Sequence, residues 1–208
     1  MSLSSDRAEA RISSVAPEVS LRAEIERLRL ELAEARAKIA ELELRADVDP
    51  LLDVLNRRGF ERELTRSLAY VKRYGTPGAL VYIDLDGFKA INDQHGHAAG
   101  DALLKAVARE LAAHVRASDV VARLGGDEFC VLLWNLAPAL AVAKAHELER
   151  LIESASVDFG ETQLSVGASA GVVPLAAEKP AEEIVEAADK AMYLRKNERK
   201  AERATSRH

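Results

Sequence analysis

The sequence is poor in the features of secreted and membrane proteins. It has 1 cysteine, Cys130, among 208 residues, so an internal disulfide framework is excluded. No run approaches the ~18 consecutive apolar residues of a transmembrane helix, and residues 1–20 contain no apolar core of the kind that a signal peptide requires. These absences predict a cytoplasmic protein.

An excess of positive charge is absent as well. The formal net charge is -5 at pH 7, whereas surfaces that bind nucleic acids or membranes are usually basic. We therefore expect small molecules or proteins as partners, and no nucleic acid. Hydrophobic residues make up 48% of the chain, which is enough for one substantial core and a small extension.

The extension is a heptad repeat over residues 21–46. Its apolar residues alternate spacings of four and three, with Ile25, Leu32, Ile39 and Ala46 at a and Leu21, Leu28, Ala35 and Leu42 at d. In a parallel dimer the facing g and e residues would be Glu24 with Arg29, Glu31 with Arg36, and Lys38 with Glu43. All these pairs are opposite in charge, which favours a parallel coiled-coil homodimer over a helix that packs on its own domain.

Asp49-Pro50 is expected to end this helix, because the residue before a proline avoids the helical conformation. The predicted organisation is a flexible N-terminus (1–20), a coiled-coil helix (21–48), a globular domain (49–200) and a flexible tail (201–208). Predicted helices of the domain cover 60–74, a short segment from Phe88, 102–116, 140–155 and 181–196. Predicted strands cover 79–85, a hairpin over 119–134, and 163–173. This alternation predicts an α/β (α+β) sandwich in which helices cover a mixed sheet.

Acidic residues cluster at two predicted turns. Asp84-Leu85-Asp86-Gly87 ends a buried strand, and Gly125-Gly126-Asp127-Glu128-Phe129 forms the exposed turn of the hairpin. If the hairpin lies beside the first strand, Asp127 or Glu128 would approach Asp84 and form an oxygen-rich site suited to Mg²⁺. Taken alone, an Asp-x-Asp-Gly segment after a strand is as often a turn and helix cap as a metal ligand, but together with the Asp-Glu turn it favours a metal site.

The sequence resembles the GGDEF-domain family, the diguanylate cyclases. Gly125–Phe129 reproduces the family signature, and further family motifs occur in the family's order: Asp49-Pro50-Leu51, Asn56-Arg57-Arg58, Asp84–Lys89, Asn92-Asp93, Gly96-His97 and Gly100-Asp101. The resemblance implies a fold similar to the palm of nucleotidyl cyclases and polymerases. It also implies an enzyme that joins two GTP molecules into cyclic di-GMP with loss of two pyrophosphates.

The resemblance implies the metal ligands and catalytic groups. Asp84, the backbone carbonyl of Leu85 and Asp127 would hold Mg²⁺ or Mn²⁺, two ions per active site, with Glu128 beside them. Two cations can stabilise the attacking and leaving oxygens of a phosphoryl-type displacement. Asp127, Glu128 and Lys89 are the expected catalytic residues. Whether Asp127 or a metal helps to deprotonate the attacking 3′-hydroxyl stays open.

The resemblance also implies a GTP-binding site. Backbone amides would cradle the β- and γ-phosphates, lysines would add positive charge, polar side chains would read the guanine edge, and leucines would pack against the base unless they are ordinary core residues. In that order, the residues are Asp86, Gly87 and Phe88; Lys89, Lys196 and Lys200; Asn92 and Asp101; and Leu51 and Leu104.

Arg116-Ala117-Ser118-Asp119 stands before the signature at the family's spacing for an inhibitory product site. An arginine can clamp a phosphate and stack on guanine, whereas the alternative is a helix-end arginine followed by a turn aspartate. The second arginine that often completes such a site is not evident, with only Arg150 nearby. We therefore expect cyclic di-GMP to act as an allosteric inhibitor of reduced strength.

The chain departs from the family pattern in two places. In the opening motif, Leu52-Asp53-Val54 stands where Thr-Gly is usual. In the terminal motif, Arg195 stands where a small residue is usual and Lys200 where arginine is common. One rival is a catalytically silent module that binds GTP or cyclic di-GMP and signals to a partner, which the complete signature disfavours. Another is a cyclase of relaxed base choice, which Asp101 disfavours. An unidentified regulatory protein is a further expected partner.

Overall fold

The computed structural model describes residues 22, 24–36, 38 and 46–205. Contacts divide the chain into two units, residues 1–45 and 46–208. In the first unit residues 24–36 are helical and are called α1. The heptad residues Ile25, Leu28 and Leu32 of α1 are 40%, 50% and 51% exposed, so they form an uncovered apolar stripe. Three other heptad residues, Leu21, Ile39 and Leu42, lie outside the described residues.

The charged residues of α1 pair along the helix. Arg27 binds Glu24 and Glu31, and Arg29 binds Glu26. The predicted dimer pairs of Glu24 with Arg29 and Glu31 with Arg36 stay a prediction, and Glu43 lies outside the described residues. No helix in the described part of the chain has the length and apolarity to cross a membrane.

The second unit contains five helices and six strands in its described residues. Its elements are α2 (Arg57–Tyr74), β1 (Gly78–Asp86), α3 (Phe88–His95), α4 (His97–Ala113), β2 (Val120–Gly125), β3 (Glu128–Trp134), α5 (Pro138–Ser154), β4 (Ser156–Phe159), β5 (Thr162–Ser165), β6 (Gly167–Pro174) and α6 (Ala181–Thr205). Four strands form a sheet in the order β2-β3-β1-β6, and β4 pairs with β5 in a separate hairpin. The pairings between these strands are antiparallel, and one parallel bridge joins Leu55 to Ala122 of β2.

Helices cover both faces of the sheet because β1 is apolar on both sides. Val81 and Ile83 pack in one core with residues of α4 and α5 such as Leu103 and Leu148. Leu80, on the opposite face, packs in a second core with residues of α2 and α6. The α/β sandwich predicted from the sequence is thus confirmed, with β1 inside its sheet. The strand pairings are antiparallel, whereas a mixed sheet was expected.

Several element boundaries differ from the prediction. Gly96, with φ of 81°, separates α3 from α4, so α4 begins at His97 and not at residue 102. The predicted strand over 163–173 is two strands, β5 and β6, and β4 was missed because it is short and half-exposed. α6 continues to Thr205, beyond its predicted end at Lys196 and into the predicted tail.

Candidate active site

The carboxyl end of β1 brings the two acidic segments together. β3 lies beside β1, with Asp84 opposite Glu128, and the backbone N–H of Leu85 donates to the carbonyl oxygen of Asp127 at 3.2 Å. The expected approach of the hairpin acids to Asp84 is therefore present. Asp127 and Glu128 are half-buried, so the expectation of an exposed tip was wrong for the two acids and holds for the glycines.

An arginine holds the hairpin turn. Gly125 and Gly126 have φ of 147° and 51°, a region that favours glycine. The guanidinium of Arg123 donates to the carbonyl oxygen of Gly126 at 3.0 and 2.9 Å and to Asp49 Oδ2 at 3.3 Å. Asp49 in turn accepts from the backbone N–H of Leu51 at 2.9 Å. Arg123 thus ties the signature turn to the start of the domain.

Glu128 faces the side of the sheet that α2 and α6 cover. Its Oε2 lies 3.9 Å from Nη2 of Arg57, and Arg57 Nε donates to the carbonyl oxygen of Leu124 at 3.2 Å. Burial, together with the charge of Glu128, raises the pKa of the buried Tyr82. Glu128 therefore lies near both the Arg57 guanidinium and the Tyr82 phenol.

Asp84 forms an ion pair with Lys196 of α6. Burial raises the pKa of Asp84, and the nearby carboxylates of Asp127 and Asp86 add to this effect, while Lys196 opposes it. Burial by itself would lower the pKa of Lys196, but its bond to Asp84 outweighs burial and raises it. Three carboxylates therefore lie near one another at this strand end, and a bound cation would offset their mutual repulsion.

The donor set fits a hard divalent cation. Across the described residues, no three His, Cys, Asp or Glu side chains are grouped so that they could hold a metal ion. Asp84 and Asp127 could offer two carboxylates, and a backbone carbonyl such as that of Leu85 would have to supplement them. Oxygen-only donors suit Mg²⁺ or Mn²⁺, which bind few protein ligands and retain water or substrate oxygens.

The turn after β1 leaves an open approach to the backbone. Gly87 has φ of 85° and precedes α3, and nothing lies within 4 Å of the position that a side chain would take there. Ser169 Oγ donates to both carboxylate oxygens of Asp86 at 3.0 and 3.1 Å. An uncovered turn at a helix start can bind an anion. Phe88, next in the chain, is buried, whereas Lys89 is exposed.

The two candidate guanine-reading residues lie at the α3–α4 corner. A Cβ added to Gly100 would overlap Asn92 Oδ1 and lie 2.9 Å from Asn92 Cγ, so this glycine makes room for the Asn92 side chain. Asp101 follows Gly100 and is exposed. Leu104 is 1% exposed and belongs to the core, with Leu51 packed partly buried at its edge. Leu104 therefore fits the alternative of an ordinary core leucine.

A cation of α6 that sequence reasoning missed also reaches the strand end. Arg199 Nε lies 3.7 Å from Asp86 Oδ2, and its side chain is only 11% exposed. Lys200, one of the three lysines expected near the phosphates, is exposed. Arg199 and Lys200 are three and four residues after Lys196, so both spacings fit the same helix face. The sequence pattern alone does not distinguish them.

The candidate inhibitory site lies elsewhere on the domain. Asp119 accepts from the backbone N–H of Arg116 at 2.9 Å and from that of Trp134 at 3.0 Å, so its carboxylate stabilises the turn before β2. Arg116 is exposed and lines a cavity of ≈ 670 Å³ together with Lys144 and Arg150. Arg150, the nearby arginine noted in the sequence, thus borders the same cavity.

Comparison with known proteins gives a uniform result. The family model described as "Diguanylate cyclase, GGDEF domain" matches residues 46–202. The probable diguanylate cyclase DgcE of Escherichia coli K12 is 41% identical over 173 residues, which are 80% of this chain and 15% of DgcE. This chain spans between 15% and 41% of the length of the first curated relatives that it matches.

Two solved structures illustrate the similarity of fold. A sensory box/GGDEF family protein of Caulobacter crescentus CB15 is 39% identical with a TM-score of 0.69, over 73% of this chain and 99% of that one. The coiled coil and GGDEF domain of DgcB from Caulobacter crescentus, solved in complex with c-di-GMP, is 27% identical with a TM-score of 0.69. That match covers 91% of this chain and 94% of the DgcB chain.

Proposed function

The chain belongs to the GGDEF-domain diguanylate cyclase family, and on that premise we propose that it condenses two GTP molecules into cyclic di-GMP and two pyrophosphates. The observation that carries the proposal is the meeting of Asp84 and Asp127 at the carboxyl end of β1, beside Lys196. Carboxylates and an ammonium group at one strand end provide for both the metal and the phosphates of a nucleotide.

The acidic residues would hold the metal. Asp84, Asp127 and the carbonyl oxygen of Leu85 would bind Mg²⁺ or Mn²⁺, two ions per site, with Glu128 as a further acid. Such ions, when bound, stabilise the attacking and leaving oxygens of a phosphoryl displacement. Either Asp127 or a bound metal ion would help to remove the proton of the attacking 3′-hydroxyl.

The phosphates would bind at the turn after β1. The amides of Asp86, Gly87 and Phe88 would receive the β- and γ-phosphates, because an open turn at a helix start presents N–H groups to an anion. Lys196 would exchange its bond with Asp84 for one with a phosphate oxygen. Lys89 and Lys200, both exposed, would add charge around the same anion, by analogy with the family.

The base would be read at the α3–α4 corner. A carboxylate such as that of Asp101 can accept from both N1–H and the 2-amino group of guanine, which adenine does not offer together. Asn92, held over Gly100, would bind the same edge. Leu51 would pack against the base, with Leu104 supporting it from the core. This set favours GTP over ATP.

We propose that the enzyme acts as a homodimer. Each domain has one site, so two GTP molecules must meet across two domains, and a coiled coil raises the effective concentration of one domain for the other. The exposed stripe of Ile25, Leu28 and Leu32 supports this arrangement. Substitution Leu28→Asp is expected to make specific activity fall on dilution more steeply than for the wild type. Equal dilution curves would remove the coiled coil from the account.

The Arg116 cavity is the proposed site of product inhibition. Arg116 would clamp a phosphate of cyclic di-GMP, and Arg150 would add positive charge to the same cavity. Lys144 also lines the cavity but is paired with Glu147 at 2.9 Å. Asp119 would act by shaping the turn that presents Arg116.

Because GTP is a cytoplasmic substrate and Cys130 is a free buried thiol, we propose that the reaction takes place in the cytoplasm. An unidentified protein is the proposed source of regulation.

The test is incubation of the purified protein with GTP and Mg²⁺, followed by chromatography of the nucleotides. Wild type is expected to form cyclic di-GMP, whereas Asp127→Ala is expected to form none. Asp158→Ala, which removes an exposed acid of β4, is the matched control and is expected to behave as wild type. Intact GTP with measurable GTP binding would favour the silent module instead, and full activity of Asp127→Ala would contradict the metal assignment.

A further inference from the structure

A buried carboxylate lies behind the phosphate end of α6, outside the residues assigned above. Glu149 of α5 is 2% exposed. It accepts from the backbone N–H of Ala170 on β6 at 2.8 Å, from Arg195 at 3.4 Å and from Arg199 at 3.3 Å. His146 Nδ1 lies 3.2 Å from the same carboxylate. One side chain thus joins α5, β6 and α6.

The arginines held by Glu149 lie next to the cations and acids of the candidate site. Arg199 reaches Asp86 Oδ2 at 3.7 Å and also pairs with Glu153. Lys196, three residues earlier on α6, pairs with Asp84. Two cations of one helix therefore contact the two carboxylates at the end of β1. Glu149 binds the arginines of the same part of α6 from the α5 side.

The charge balance makes Glu149 hard to replace. Burial alone would raise its pKa, but the Ala170 amide, His146 and Arg195 outweigh burial and lower it. The carboxylate is therefore ionised, and its charge offsets two guanidinium groups in a partly dry environment. A neutral side chain of equal size keeps the bond to the amide and loses this compensation.

We propose that Glu149 is a positioning residue for the nucleotide: by holding Arg195 and Arg199 it sets the turn of α6 from which Lys196 reaches the phosphates. On this proposal, the cation of α6 that contacts Asp86 is Arg199, whereas Lys200 is exposed. The inference deepens the proposed function and rests on it, because it assigns Glu149 no contact with the substrate.

A double-mutant cycle on GTP kinetics tests the proposal. Lys196→Ala is expected to raise KM for GTP by about tenfold or more, the usual effect of losing a bond to a charged group. Glu149→Gln is expected to raise KM by about 3–10-fold with a smaller change in kcat. The double variant is expected to match Lys196→Ala, because Glu149 acts through Lys196 and coupled residues are not additive. Glu186→Gln, which removes an exposed carboxylate paired with Lys190, is the control and should keep the wild-type KM.

Two results would overturn the proposal. One is an unchanged KM in Glu149→Gln. The other is a double variant in which the separate effects multiply, as they would if Glu149 only stabilised the fold. Should Glu149→Gln fail to fold, Arg199→Ala replaces it in the same cycle with the same expectation.

Binding measurements separate this inference from the proposed function. If the wild type forms no cyclic di-GMP, the same cycle is run on the Kd of GTP with Mg²⁺ by calorimetry. Coupling between Glu149 and Lys196 in Kd would uphold the positioning role while the cyclase proposal fails. Cyclic di-GMP formation with additive effects would do the reverse, and absence of GTP binding would contradict both.

Discussion

The substitution Gly100→Ala tests whether Asn92 contacts the guanine base, because it should displace this side chain without unfolding the domain. An added Cβ would overlap Asn92 Oδ1, lie 2.9 Å from Asn92 Cγ and lie 3.0 Å from Phe88 Cζ. Asn92 Cγ must therefore retreat by about 0.5 Å to reach an ordinary contact of 3.4 Å, and the overlapping Oδ1 must move farther than that. Because the obstructing atoms are side-chain ends, the helix itself can remain. Alanine also favours a helix by about 1 kcal/mol relative to glycine, which offsets the cost of shifting these side chains.

The expected outcome is an altered site in an intact domain. Loss of one hydrogen bond to the base costs about 1–2 kcal/mol, so KM for GTP should rise about 5–30-fold while the melting temperature changes by less than about 4 °C. Initial rates over a range of GTP concentrations and a thermal melt check both values. An unchanged KM in a folded variant would refute the placement of Asn92 at the base.

Three further outcomes are expected. Gly171→Ala should destabilise the domain by about 3 kcal/mol or more in urea, since its Cβ would overlap backbone atoms of α6, including the Met192 nitrogen; a loss below about 1 kcal/mol would contradict this packing. Arg123→Ala should cost about 2–4 kcal/mol, because Gly126 and the turn lose hydrogen bonds to a half-buried charge; unfolding at the wild-type urea midpoint would show that the turn forms without it. Because folding lowers the pKa of Glu149, the stability advantage of wild type over Glu149→Gln should be full above the ordinary glutamate pKa. That advantage should shrink as pH falls through the lowered value, and a pH-independent difference in melting temperature would contradict it.

The sequence alone was sufficient to predict the α/β sandwich and the proximity of Asp84 to the hairpin acids. A buried apolar strand ending at Asp84 and a hairpin carrying Asp127 leave few arrangements in an α/β sandwich, and the adjacent pairing of β1 and β3 is one of them. The expected exposure of the acids was wrong because a turn seen alone lacks the elements that pack around it. Here Arg123 binds the carbonyl oxygen of Gly126 in the turn, and Arg57 of α2 lies 3.9 Å from Glu128.

Contacts between segments that are far apart in the sequence could not be predicted from local sequence patterns. Glu149 is a charged residue in a helix, so the sequence alone predicts that it faces solvent. It is buried because α5 packs against β6 and α6. Arg199 and Lys200 have equivalent spacings from Lys196, so three-dimensional packing decides which one reaches Asp86. The short hairpin of β4 and β5 was missed because its strands are mostly exposed.

The most direct test of the central claim is the stoichiometry of the reaction. Purified wild type is incubated with GTP and Mg²⁺, and GTP loss, pyrophosphate release and cyclic di-GMP formation are measured in the same samples over time. The account predicts that each cyclic di-GMP is accompanied by two GTP consumed and two pyrophosphates released, and that Asp127→Ala yields neither product. Release of inorganic phosphate with GDP, or GTP left unchanged while it binds, would contradict the account.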